Sequence, residues 1–442
     1  MRHKYVAVIQ AGGLGTRMQE LTKNIIPKPM LLLNGRPMLE WQIQNIVEYG
    51  IRDFVIIIGH LGEKIEEYFY DGSKLGVHIQ YIKEKEPLGS AGALALLKSM
   101  YHFEATDFLV VFGDVMFDLD IHRLCCFHEK HGGLATLLAH PNAHPYDSDL
   151  LITDNADQVL SIISKHEKRT EWYDNLVNAG IYVLSGELIT ELAKTGIAKL
   201  DMERDVLKPM MGQGKVYAYR TPEYVKDAGT PERFRAVCRE QREGVWEQKN
   251  LTKKQRCVFL DRDGTINKYQ GLIYKEEQLE LEQGAAEAIR LLNEAGYLAI
   301  IVTNQPVVAR GLCDISDVEQ IHKKLQVLLG EQGAYLDDIV FCPHHPDKGY
   351  PEENPLYKIP CKCRKPDTGM IDKMLEKYNI DSVKSFMIGD STVDIQTGRN
   401  AGLKTILVAT GQAGKDGKYC IQADAQVKDL LEAVKFILTR ID

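Results

Sequence analysis

The chain has 442 residues, 44% hydrophobic and 26% charged, with a formal net charge of −8, a length that suits two or three domains. The acidic balance and the lack of a large basic patch argue against a nucleic-acid binder, and no apolar run reaches membrane-spanning length. Nine cysteines include the adjacent pair Cys125-Cys126 and three gathered late in the chain; the scatter of the remainder suits a reducing compartment better than a disulfide framework, and the first strand begins within a few residues of Met1, so a cytoplasmic protein without a signal peptide is expected.

In chain order, Val6-Ala7-Val8-Ile9 reads as a buried strand leading into Gln10-Ala11-Gly12-Gly13-Leu14-Gly15-Thr16-Arg17. A glycine-rich turn between strand and helix presents backbone N–H groups and a helix N-terminus to phosphates. The spacing is neither a Walker loop nor a dinucleotide fingerprint, and alone it reads as a plain tight turn just as readily. Pro27-Lys28-Pro29 then places a lysine within reach of the same phosphates. Glu84 to Gly92 forms a second glycine loop ahead of a helix. Phe108–Phe112 is a strand ending in Gly113-Asp114, a carboxylate placed for Mg²⁺, and Val225 to Pro231 supplies a second one, Asp227.

Together these motifs resemble the sugar-1-phosphate nucleotidyltransferases over nearly the whole first half. The resemblance implies a Rossmann-like α/β domain with a mixed sheet at residues 1–240. In it Gly12, Gly13, Gly15, Thr16 and Arg17 cradle a nucleoside triphosphate, Gly89 belongs to the second loop, and Arg17 and Lys28 are the catalytic cations. Asp114 and Asp227 hold Mg²⁺, Lys168 meets the sugar phosphate, and Asn178 and Glu203 meet the sugar. Two departures stand out: Gln10 replaces a small or apolar residue, and Arg169 follows Lys168 where proline is common. The implied reaction is in-line attack of a sugar 1-phosphate on the nucleotide α-phosphorus, releasing pyrophosphate, with positioning and charge neutralisation supplying most of the rate.

Glu84 carries the one clue to the base, because in the related transferases its position faces the base edge. A carboxylate there accepts guanine N1–H and N2–H₂ together, whereas facing carbonyls it stays unpaired, at about 1–3 kcal/mol or more. GTP is therefore the expected donor; the alternative is a solvated glutamate beside the loop.

Residues 241–254 are polar and without hydrophobic periodicity, which reads as a linker or as a solvated helix. Cys257-Val258-Phe259-Leu260 is then a buried strand ending in Asp261-Arg262-Asp263-Gly264-Thr265. Both carboxylates therefore project from a strand's C-terminal edge, where open α/β sheets place their ligands. One can attack phosphorus while the other moves a proton. A second run, Ile300–Val302, ends in Thr303-Asn304-Gln305, a hydroxyl and an amide suited to a phosphoryl oxygen. Lys365 supplies a neutralising cation. Phe386–Ile388 ends in Gly389-Asp390-Ser391 with Asp394 beyond, a carboxylate pair fit for Mg²⁺.

This ordered set resembles the haloacid dehalogenase phosphatases from about Lys253 onward. The resemblance implies a Rossmannoid domain at residues 255–442 with Asp261 as nucleophile and Asp263 as general acid. Mg²⁺ is then held by Asp261, the Asp263 carbonyl and Asp390, while Thr303 and Lys365 steady the phosphoryl oxygens. Only one helical pattern separates Asp263 from Thr303, so no cap domain is expected. Cys342-Pro343-His344 and Cys361-Lys362-Cys363 bracket a segment rich in Pro, Gly and charge. Three thiolates and an imidazole make a closed tetrahedral set typical of structural zinc, ordering a loop with little core of its own; His345 is the competing ligand.

With that loop, the pattern sharpens toward the heptose 1,7-bisphosphate 7-phosphatases. The matching stretches are Asp261–Asn267, Thr303–Gln305, Ala309-Arg310-Gly311 and Cys361–Pro366, with Arg310, Arg364 and Asn304 as substrate contacts. Pro306-Val307-Val308 departs from the usual Ser-Gly-Ile, and histidinol-phosphate phosphatases share much of the pattern. The pairing of halves favours heptose. Removing one phosphate from heptose 1,7-bisphosphate leaves heptose 1-phosphate, which a nucleotidyltransferase consumes to give an NDP-heptose for surface polysaccharide, whereas histidinol phosphate offers the transferase nothing. The rival organisation, one catalytically dead regulatory half, sits poorly with intact carboxylates in both.

Overall fold

A computed structural model of the chain describes residues 4–101, 106–196, 199–347 and 349–439. It divides into two compact units. The first comprises Met1–His140, Asp149–Ser164 and Val177–Asn250; the second comprises Pro141–Ser148, Lys165–Leu176 and Leu251–Asp442. Division therefore falls at Asn250, inside the stretch read as linker. That stretch is largely helical (Pro231–Arg242 and Val245–Lys249). Within it, Trp246 is buried against Trp41 and stacked on Tyr224 at 5.0 Å in the first unit.

The first unit is built on a nine-stranded mixed sheet. Lys4–Gln10 lies between Asp53–Ile58 and Thr106–Phe112, parallel to both. Val177–Leu184 runs antiparallel to Thr106–Phe112. Central strands covered on both faces read as continuous apolar runs, and Val6 to Ile9 and Phe108 to Val111 are essentially inaccessible. The run cannot continue at Gly113, where a Cβ would come within 2.8 Å of the Gln10 carbonyl, so the chain turns there and presents Asp114. A separate two-stranded ladder, Val115–Asp118 with Tyr224–Asp227, sets Asp227 opposite Val115 and hence beside Asp114 in register.

The second unit carries a six-stranded parallel sheet, ordered Asp338–Cys342, Leu298–Asn304, Cys257–Leu260, Phe386–Gly389, Lys404–Val408 and Ala425–Val427. Alternate residues of its strands feed two cores. Val258, Leu260, Ala299 and Ile301 pack with helices Ala285–Glu294 and Leu430–Leu438. Cys257, Phe259, Leu298 and Ile300 pack with Gly369–Lys377. The period of two in side-chain direction thus sorts one apolar run onto both faces. Between Asp263 and Thr303 the only α-helix is Ala285–Glu294, so no cap is inserted there.

Candidate active sites

In the first unit the strand ends around the glycine loop surround a cavity of about 420 Å³. Gly12, Gly13, Gly15, Thr16, Arg17, Lys28, Glu84, Gly89 and Asp114 all line it, as expected from sequence. Gly15 has φ +61°, and a Cβ there would press on Lys28. A Cβ on Gly12 would come within 2.5 Å of the Glu84 carboxylate. These glycines are required by close approach, not merely by a turn. Lys28 Nζ donates to Asp114 Oδ2 at 2.6 Å. Asp227 Oδ2 accepts from Arg233 Nη1 at 2.6 Å, while its other oxygen, Oδ1, is buried without a hydrogen-bond partner. An unsatisfied buried carboxylate oxygen beside Asp114 fits a hard cation. Glu84 is half-buried; burial pushes its carboxyl up, partly offset by the Leu88 N–H it accepts.

The departure at Gln10 has a structural use. Its Nε2 donates to the Ser90 carbonyl at 2.6 Å, tying the first glycine loop to the second. The second loop is pinned in turn, since Ser90 Oγ bonds Asp201 and accepts from Met202 N. Gly89, at φ +77°, lies so close to the Leu200 carbonyl that a Cβ would stand 2.4 Å from it. Asn178 and Glu203 bond each other, Nδ2 to Oε1 at 2.6 Å. Lys168 is exposed and belongs to the Lys165–Leu176 segment that groups with the second unit. That segment is anchored locally, with Arg169 donating to the Pro145 carbonyl and stacking on Tyr173, and Asp174 and Asn175 bonded to Gln326.

In the second unit Asp261, Asp390 and Asp394 converge so that one oxygen from each lies within 4.8 Å of the others. Lys365 Nζ donates to Asp261 Oδ1 at 2.8 Å and to Asp394 Oδ1 at 2.5 Å. Three buried carboxylates with one lysine leave an excess of negative charge. Burial and the Asp394 charge push the Asp261 carboxyl up to about 6 even with Lys365 beside it. Burial and Asp261 push Asp390 up to about 8. Such a set fits a divalent cation. Two glycines make room for it: a Cβ on Gly264 or Gly411 would fall 2.3 or 2.1 Å from Asp390 Oδ2. Gly411, and the Gln412 N–H that donates to Asp390 at 2.6 Å, were not singled out from sequence, since an isolated Thr-Gly-Gln carries no distinctive spacing.

Other side chains of the site are held by hydrogen bonds of their own. Asn304 gives both ends of its amide to the Lys365 backbone, accepting from N at 3.0 Å and donating to O at 3.1 Å, so it holds the lysine's peptide in place. Asp394 holds Lys365 with one oxygen and Ser391 with the other. Thr303 is buried and accepts from Gln305. Asp263 accepts a bidentate fork from Arg262 and further bonds from Gln305 and Asn267. Burial would raise its carboxyl, yet these donors outweigh burial and hold it below the usual range.

Cys342, His344, Cys361 and Cys363 form one cluster. Sulfur separations are 3.2, 3.2 and 3.5 Å, and His344 Nδ1 lies 3.4 Å from Cys363 and 3.6 Å from Cys342. Ligands about 2.0–2.3 Å from a tetrahedral ion would stand roughly 3.3–3.8 Å apart, so the four could hold a metal ion. His345 is not part of this cluster; its Nδ1 accepts from Asp347 N. Arg364 donates to the His344 carbonyl at 3.0 Å. Arg310 lies over the Tyr350 ring at 4.5 Å.

The nucleotidyl transferase family matches residues 6–243, and the HAD-hydrolase-like family matches residues 362–433. A D-glycero-beta-D-manno-heptose-1,7-bisphosphate 7-phosphatase from Haemophilus ducreyi is 36% identical over 185 residues, covering 41% of this chain and 98% of its own. The catalytic subunit beta of mannose-1-phosphate guanylyltransferase from Drosophila pseudoobscura pseudoobscura is 31% identical over 229 residues, 52% of this chain and 60% of its own. The solved structure of HddC from Yersinia pseudotuberculosis aligns with 54% of this chain and 99% of its own at 26% identity and a TM-score of 0.46. Among the described residues no helix is long and apolar enough to cross a membrane.

Proposed function

The chain belongs to the nucleotidyl transferase family in its first half and to the HAD-like heptose-bisphosphate 7-phosphatases in its second, and from that premise we propose that it performs two consecutive steps on one sugar. The phosphatase removes the 7-phosphate of D-glycero-D-manno-heptose 1,7-bisphosphate. The transferase then joins the resulting heptose 1-phosphate to a nucleotide, GMP from GTP, releasing pyrophosphate. The observation that carries the reading is the pairing itself, because the product of the first chemistry is the substrate class of the second.

In the phosphatase, an Asp261 oxygen attacks the phosphorus and the bond to the sugar oxygen breaks as Asp263, which must first take up a proton against the pull of the donors around it, gives that oxygen the proton. Water then attacks the aspartyl-phosphate, Asp263 takes its proton, and phosphate leaves. Lys365 orients Asp261 and offsets charge on the phosphoryl oxygens. Mg²⁺, held by Asp261, the Asp263 carbonyl and Asp390, would add further neutralisation. In the transferase, Arg17 and Lys28 offset the triphosphate charge, and Asp114 and Asp227 would hold Mg²⁺; the unpartnered Asp227 Oδ1 supports that assignment. The thiol-rich cluster suits structural zinc.

Two variants test the division of labour. Asp261→Asn should end phosphate release yet leave transfer to supplied heptose 1-phosphate intact, and Asp114→Ala should do the reverse. Loss of both activities in either folded variant would overturn the proposal.

A further inference from the structure

Arg262 heads the fully buried side chains by volume, at 0% exposure. A guanidinium does not lose its charge in a protein, so burying it is costly unless its donors are matched. Here they are matched by a specific set. Nε and Nη2 grip the two oxygens of Asp263 at 3.0 and 2.9 Å. Nη2 also donates to Gln305 Oε1 at 3.0 Å, and Nη1 donates to His322 Nε2 at 3.2 Å. His322 comes from the far-off helix Ile315–Gly330 and is itself buried, edge-on to Phe341. Burial and the adjacent guanidinium push its pKa down to about 3, so the ring stays neutral and able to accept.

Because Arg262 is sealed from solvent, it acts on a substrate only through Asp263. Its fork takes one bond to each carboxylate oxygen, whereas the amides of Gln305 and Asn267 hold the same carboxylate by single bonds at 2.9 and 3.0 Å; release of one of these frees an oxygen to carry the proton that the leaving group takes. We propose that Arg262, braced from behind by His322 and Gln305, is a positioning residue that aims the Asp263 carboxyl at the leaving oxygen. The inference rests on the phosphatase reading above, in which Asp263 protonates that oxygen.

Leaving groups separate this role from a merely structural one. A sugar alkoxide needs a proton as it departs and p-nitrophenolate does not. First-turnover release would be followed by rapid quench on the full chain with saturating Mg²⁺, using heptose 1,7-bisphosphate and p-nitrophenyl phosphate. Since a well-placed general acid contributes roughly 10²–10⁴-fold, His322→Leu should slow sugar release about 10- to 100-fold while leaving nitrophenol release within about threefold. His322→Gln, which restores an acceptor, should recover most of the loss. His322→Met, which also removes the ring acceptor, carries the same expectation and keeps the test open if His322→Leu does not fold. Equal slowing of both substrates, or of neither, in a folded variant overturns the inference. Asp263→Asn is the control: if it fails to discriminate the two leaving groups, the general-acid reading itself falls, and the inference with it.

Discussion

Replacing Lys365 with methionine tests the charge balance of the phosphatase site most sharply. The Lys365 and Asp394 side chains are 3% and 1% exposed, and Asp261 is 13% exposed. Lys→Met keeps the length and removes the charge, stranding two buried carboxylates. Breaking a buried pair by deleting one partner costs about 3–5 kcal/mol. The pH dependence has a definite sign. Asp261 is already pushed up to about 6 by burial and Asp394, and without Lys365 it rises further. A carboxyl whose folded pKa lies above its unfolded value contributes stability that is present at acid pH and is lost as pH rises through the folded pKa. The penalty should therefore be small near pH 5 and full near pH 8. Native-state hydrogen exchange in chelator, read at the amides of Cys257–Leu260 and Phe386–Gly389, isolates the second unit's core. A loss below about 1 kcal/mol at pH 8, or a penalty that grows on acidification, would refute the reasoning.

Further outcomes rest on the same geometry. Purified protein should contain about one zinc per chain, lost when Cys361 and Cys363 become serine, with nucleotidyl transfer unaffected; full occupancy in that variant would exclude the cluster as the site. Gly311→Ala should destabilise the second unit by more than about 2 kcal/mol in thermal unfolding, because φ is +70° and the added Cβ would sit 1.6 Å from the Glu352 carbonyl; a wild-type melting curve would show that the contact is not formed. Glu84→Gln should erode the preference for GTP over UTP and dTTP in competition assays, and an unchanged preference would return Glu84 to the role of a loop residue.

Much of both sites is legible in sequence because the chemistry sits at the ends of apolar runs. Val6–Ile9, Phe108–Phe112, Cys257–Leu260 and Phe386–Ile388 could only be buried strands, and a parallel sheet gathers the residues just past their C-terminal ends at one edge. Hence Asp261, Lys365, Asp390 and the glycine loop with Lys28 and Asp114 come together as expected. The part that sequence does not reveal is tertiary. His322 reaches Arg262 across 60 positions, and nothing in a helix pattern distinguishes that histidine from any other core residue. Asn304 bonds the Lys365 backbone with both ends of its amide, a contact across 61 positions that no local spacing announces. Lys168 lies in a segment anchored by Arg169 and Asn175, whose contacts are distant in sequence. Trp246, with Val245 beside it and Gln241 and Asn250 hydrogen-bonded, ties a polar stretch to the first unit.

The central claim is that one chain carries heptose 1,7-bisphosphate to a nucleotide sugar. The direct measurement is incubation of the purified protein with heptose 1,7-bisphosphate, GTP and Mg²⁺, following phosphate, pyrophosphate and nucleotide sugar together. The account predicts phosphate release first, then equal amounts of pyrophosphate and GDP-heptose, with neither formed by Asp261→Asn unless heptose 1-phosphate is supplied. Phosphate release without any nucleotide sugar, whichever nucleoside triphosphate is offered, would contradict it.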